Sequence, residues 1–200
     1  PLFVEELARH ARDAGTLDLP RTSEGTPDSD DRRVLLGRVL GERLLQLPEP
    51  SRRLLEVVAI AGMPIAPGTA HRAAGLELQD RRIEHRLLSA RLVRTQHSGE
   101  ADRLAPYHGR IREAILGALE PARRRSLHRA VGDALAADGA PARLLVPHYA
   151  EAGDLRTAAL HARRAGEEAS RALAFPEAVS LFERALGWLE ASGGTLAERT

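Results

Sequence analysis

The side chains able to do chemistry here are arginines, histidines and scattered carboxylates. All 29 basic residues are Arg, with no Lys, no Asn and no Cys. Guanidinium groups fork onto phosphate or carboxylate oxygens. They gather in two stretches, Arg81, Arg82, Arg86 and Arg91, and then Arg123, Arg124 and Arg125 with Arg129. Either stretch suits phosphate contact or ion pairing. Asp80 and Glu84 lie inside the first and would set negative charge against a phosphate backbone, so solvated or interdomain faces are expected ahead of DNA readout. The histidines at 10, 71, 85, 97, 108, 128, 148 and 161 form no His-Glu-x-x-His or other close ligand pair. No metal site is expected, and surface or capping roles are expected for all but His108. Glu5-Glu6, Asp30-Asp31 and Glu167-Glu168 point to different helix faces or lie in a polar stretch, unlike a catalytic acid/base pair.

Several activities are excluded by residue type. A phosphate-cradling P-loop requires a Lys after its glycines, which this chain lacks. There is no Gly-x-Ser-x-Gly turn to expose a hydrolase nucleophile. Without cysteine there is neither a disulfide framework nor a thiolate metal site, which fits a reducing cytoplasm. No apolar run approaches the ~20 residues of a membrane span, and no signal segment opens the chain. The formal charge of +1 is nearly balanced, and 43% apolar composition suffices to bury a core in 200 residues. The expectation is a cytoplasmic, non-enzymatic segment with no catalytic residues, no metal and no cofactor of its own. The all-Arg bias suggests a high-GC bacterial source.

The elements that must position these residues are helical. Residues 1–14 carry Leu2, Phe3, Leu7 and Ala11 on one face, a helical pattern already under way at Pro1, so sequence upstream is expected. Gly, Thr, Ser, Pro and Asp dominate 15–32, as in a flexible linker. Leu36, Leu40, Leu44 and Leu47 predict a helix over 33–47 that Pro48 and Pro50 end. Ser51 is the expected N-cap of the next helix, through Ala61, with Gly62 as its stop. A short helix over 69–74 and a longer one over 79–90, burying Ile83, Leu87 and Leu88, follow. Strands over 92–96 and 103–107 flank the polar turn His97-Ser98-Gly99-Glu100, as in a hairpin. Three helices followed by a two-stranded hairpin predict a winged-helix domain over 33–119, closed by a helix from Gly109 that buries Ile111, Ile115 and Leu119.

From Pro121 the pattern is purely helical. Helices are expected from Pro121, over 144–152 and 155–173, and from Phe175 to near Gly193. Ala158 with Ala165, and Ala178 with Ala185, are small residues spaced by seven, as where tetratricopeptide-type helices approach closely. Tyr149, Gly153 and Ala158 also fit that repeat's aromatic, glycine and alanine order. The two alanine pairs are offset by twenty residues where the repeat has about 34, so residues 120–200 are expected to form a degenerate tetratricopeptide-like array. The fold class is thus mainly α: a winged helix with a small β-hairpin, then helical hairpins.

The chain also resembles a known class. Pro1-Leu2-Phe3-Val4-Glu5-Glu6-Leu7 is similar to the Gly-Asn-Pro-x-x-x-Glu-Glu-Leu segment that ends the nucleotide-binding module of bacterial STAND-class signal-transduction ATPases. Glu42 to Pro48 with Leu54 to Gly62 looks like the start of that class's winged helix. Tyr107 to Ile115, then Arg123 to His128, looks like its end and the beginning of its repeats. The resemblance implies that Pro1 lies beside a nucleotide and that His108 contacts the phosphates of ADP, although the class commonly has Asp where this chain has Gly109. An imidazole beside a diphosphate is a switchable, charge-assisted contact.

The resemblance therefore implies a regulatory segment. An upstream nucleotide-binding module would hold ATP or ADP, the winged helix would dock on it, and the repeats would receive a protein or small-molecule inducer. Two alternatives remain: a DNA-binding winged-helix regulator using Arg81, Arg82, Arg86 and Arg91, and a tetratricopeptide-like scaffold that binds peptides. No membrane partner is expected.

Overall fold

A computed structural model of the chain describes residues 46–77, 80–98 and 101–193. The helices expected over 1–14 and 33–47, the linker over 15–32, and Pro1 with them lie outside the described residues, apart from the last two residues of the second helix. Leu78, Gln79, Gly99, Glu100 and residues 194–200 lie outside them too.

Helix α1 (Glu49–Ala61) begins three residues before the expected start. Ser51 is not its N-cap: Pro48 holds that position, and Ser51 lies in the first turn at 1% exposure. Pro50 is the reason, because its fixed φ is already helical and its missing N–H falls where no intrahelical bond is made. Gly62, at φ 68, stops the helix as expected. Leu54, Leu55, Val57, Val58 and Ile60 are all buried, so α1 has no broad solvent face. Helices α2 (Pro67–Ala73) and α3 (Arg81–Ser89) pack on it. Leu88, expected in the core with Ile83 and Leu87, is only half-buried.

Strands β1 (Val93–Ser98) and β2 (Ala101–Pro106) pair antiparallel, with Val93 opposite Pro106 and Ser98 opposite Ala101. His97 and Ser98 belong to the strand and not to the turn, leaving only positions 99 and 100 to connect the pair. A third extended position was not foreseen. Ile65, between α1 and α2, exchanges two backbone hydrogen bonds with Leu104, at 2.9 and 2.7 Å. Three helices, this bridge and the hairpin form the winged-helix arrangement. Helix α4 (Gly109–Ala118) returns onto α1 and buries Ile111 and Ile115, while Leu119 is a half-buried cap.

Helices α5 (Pro121–Ala137), α6 (Ala142–Glu151), α7 (Leu155–Arg171) and α8 (Phe175–Ala191) continue as hairpins. The described residues from Leu47 onward form one compact unit, because α5 packs on α1 and α2 as well as on α6. Thr69 and Arg72 of α2 both reach Asp138 at the end of α5. Their hydrogen bonds hold the Asp138 carboxyl below its usual pKa, Thr69 contributing most.

The twenty-residue offset of the alanine pairs now has an explanation. α7 and α8 are the two arms of one antiparallel hairpin, and Ala165 and Ala178 share a buried cluster with Ala142, Ala169 and Leu181. Ala165 meets Ala178 across this hairpin and Ala185 packs with Ala159 and Ala162, so the pairs belong to one hairpin and do not mark successive repeats. Gly166 completes the close approach, since a Cβ there would stand 2.7 Å from the Phe182 ring. Gly166→Val is therefore expected to cost about 1–3 kcal/mol of stability by overpacking. Gly117→Ala in α4, where a Cβ meets nothing within 4 Å, is expected to gain up to about 1 kcal/mol from helix propensity. Urea unfolding of the two variants tests the opposite signs.

Candidate functional site

Helix α3 is the element on which the first arginine cluster converges. Its apolar residues Ile83 and Leu87 face α1, and the 3.6-residue period then turns Arg81, Arg82, His85, Arg86 and Ser89 outward, all exposed. The two carboxylates expected among these arginines are not on that face. Asp80 caps the helix, its Oδ1 accepting the Arg82 backbone N–H at 3.2 Å. Glu84 is turned inward, 19% exposed, with Oε1 3.0 Å from Nε2 of His71. The expectation that Glu84 opposes a phosphate backbone is thus corrected.

His71 of α2 is 1% exposed and lies 2.8 Å through Nδ1 from the Glu77 carbonyl. Nδ1 thus meets an acceptor on the α2–α3 connection, while Nε2 stands within ion-pair distance of Glu84 on α3 without making a hydrogen bond. Arg91 sits just past α3 in a left-handed conformation, φ 53, and is exposed.

The second arginine cluster is structural. Arg123 donates through Nε and Nη2 to Glu56 of α1, at 3.1 and 2.9 Å. Arg124 lies 3.6 Å from Glu151 of α6, and Arg129 pairs with Asp154 and Asp133. Only Arg125 of that run has no ion pair to a described residue. Arg112 of α4 likewise points inward, donating to the Ala59 carbonyl at 3.0 Å.

His108 is exposed at the N-cap of α4 and stands edge-on to Tyr107, ring centroids 4.9 Å apart. Its side chain does not cap the helix. Gly109 beside it meets nothing within 4 Å of its absent Cβ. The first turn of α4 holds no acidic residue, and the helix dipole there favours negative charge. Pro1, the other residue expected at a nucleotide, lies outside the described residues.

Three histidines expected at the surface are in fact buried: His71, His128 and His148. His128 of α5 and His148 of α6 face each other with Nδ1 atoms 3.2 Å apart, one imidazole donating to the other. Their positions beside Leu127, Val131, Leu145 and Tyr149 in the apolar period were the available sequence signal. Burial pushes both below the usual imidazole pKa, His148 to about 4 with the neighbouring His128 adding to the effect, while Arg124 and Arg112 lower His128 further. Glu151 acts the other way on His128. Tyr149 donates to Asp133 at 2.9 Å, and burial with that bond raises its hydroxyl to about 12. Among the described residues, no group of three or more His, Asp or Glu is placed to hold a metal ion.

Two expectations follow from these contacts. Glu84→Ala removes the carboxylate 3.0 Å from buried His71 and should cost about 1 kcal/mol by thermal unfolding, whereas Arg81→Ala, on the exposed face, should change stability by less than about 0.5 kcal/mol. For His148, the folded pKa near 4 lies below the unfolded value of 6.5, so the unfolded chain binds more protons between them. Stability is full above about pH 6.5 and falls as pH drops through that window toward 4, by on the order of 3 kcal/mol. Urea midpoints at stepped pH should show this loss, and His148→Leu should flatten it.

Compared with known proteins, the chain matches no family model, no curated protein and no solved structure.

Proposed function

We propose that this chain is the regulatory segment of a STAND-type ATPase, in which the winged helix docks on an upstream nucleotide-binding module and the helical hairpins receive a protein or small-molecule inducer. The observation that carries this reading is the double packing of α5, which lies on α1 and α2 on one side and on α6 on the other. A movement imposed on the hairpins reaches the winged helix through one stiff helix, which is what coupling a partner to a docked state requires. The similarity of Pro1 to Leu7 and of Tyr107 to Ile115 to the class's motifs adds support. His108 is the contact to ADP in this reading, exposed at the head of a helix whose first turn carries no acid. ATP and ADP belong to the parent protein, and this segment itself catalyses nothing.

A second reading, a peptide-binding scaffold without nucleotide control, is favoured by one feature. Among the described residues, the exposed large apolar side chains, Leu160, Leu173, Phe175, Val179 and Leu186, all lie on the α7–α8 hairpin. Nucleotide dependence separates the two readings.

The test is ADP retention by the chain extended through its upstream module. His108→Ala should speed ADP release about ten- to a hundredfold, the loss of one charge-assisted hydrogen bond of about 1.5–3 kcal/mol. Unchanged release, or an upstream coding sequence without Gly-x-x-x-x-Gly-Lys-(Ser/Thr), would overturn the proposal.

A further inference from the structure

We infer that the outward face of α3, together with the β1–β2 wing, binds the phosphate backbone of duplex DNA. The inference goes beyond the nucleotide-control reading and does not depend on it. Arg81, Arg82 and Arg86 share the exposed arc of α3 with His85 and Ser89, and none of the three has an ion pair to a described residue. Its two carboxylates are already used, Glu84 against buried His71 and Asp80 in the helix cap.

The wing repeats this segregation of charge. The β register sets Arg94 opposite Ala105 and Gln96 opposite Arg103, so both arginines stand on one side of the hairpin. Asp102, the acid described on the wing, is opposite His97 on the other side and is held by it at 2.6 Å. Arg94 and Arg103 have no ion pair to a described residue either. The hairpin packs beside α3 through β1, so three arginines of α3 and two of the wing lie on adjoining elements, with Glu84 and Asp102 each facing a histidine and Asp80 held in the helix cap.

A chain of net charge +1 has little general attraction for nucleic acid. What attracts is this local excess. Duplex DNA is the polyanion whose shape fits it: a helix about 10–12 Å across enters a major groove about 12 Å wide, and a flanking wing reaches the adjoining phosphates. Arginines reaching phosphate oxygens would hold the duplex without reading its bases, so the binding is expected to tolerate sequence. An acidic protein surface is the competing occupant, and the assay distinguishes it.

The experiment is fluorescence anisotropy of the full chain with a labelled mixed-sequence duplex of about 20 base pairs, from about 50 to 200 mM salt. Binding in the micromolar range at the low end is expected, with log affinity falling against log salt at about −0.9 per neutralised phosphate. Arg82→Glu and Arg86→Glu, each on the exposed face, should weaken binding at least tenfold and reduce that slope, with the helical circular dichroism unchanged. Arg125→Ala, an exposed arginine of α5 away from this face, should bind like the parent. Absence of binding at about 50 mM salt would sink the inference. So would parental affinity and slope in both Glu variants, or tighter binding of a polyglutamate peptide than of the duplex.

Discussion

Most of the molecule is organised by the need to cover α1. Eight of its 13 residues are buried, and a helix apolar around most of its circumference cannot face water on any broad side. Fully burying Leu54, Leu55, Val57, Val58 and Ile60 contributes on the order of 10 kcal/mol, comparable to the whole net stability of a domain. The covering elements come from both parts of the architecture: α2, α3, β2 and α4 of the winged helix, and α5 of the hairpin array. The winged helix therefore has no complete core without α5. The hairpins begin on a helix already committed to it.

Charge follows from the same constraint. The arginines nearest α1 are spent on it and on its neighbours: Arg123 on Glu56, Arg112 on the Ala59 carbonyl, Arg72 on Asp138. Exposed pairs of this kind add little free energy each, but they fix where α4 and α5 cross α1, because each guanidinium finds a geometric partner at one register only. Among the described residues, the arginines of α3 have no such partner. A nearly neutral chain thus presents a positive face by the way its acids are allocated.

Much of this organisation could be read from the sequence. Helix existence followed from apolar periodicity with Pro and Gly punctuation, and the hairpin from two short strands about a polar turn. The rest depended on partners distant in the chain. The Ile65–Leu104 bridge is a single residue pair with no periodicity to announce it. Glu84 belongs by type on a solvated face, and only His71, thirteen positions away on another helix, turns it inward. Ser51 looked like a cap because capping is a local rule, and Pro50 is a stronger local rule one residue earlier. The alanine pairs were visible, but spacing alone does not tell two successive repeats from two arms of one hairpin. For the candidate site, the arginine positions were legible and the fate of the carboxylates among them was not.

What α5 can transmit is set by how it is held at its two sides. Toward the winged helix it meets buried apolar surface and the Arg123–Glu56 and Asp138 contacts. Toward the hairpins it meets His148 through His128, Tyr149 through Asp133, and Asp154 through Arg129. The second set is polar and largely hydrogen-bonded, and such networks have discrete arrangements because a half-made one leaves buried groups without partners. Packed apolar contacts on the first side resist gradual deformation. A force on α6–α8 therefore has two outcomes: the polar side rearranges locally, or α5 moves as a body and carries α1 and the elements around it. Burial disfavours the charged form of both imidazoles in the His128–His148 pair, most strongly at His148, and so opposes the charging that would part α5 from α6.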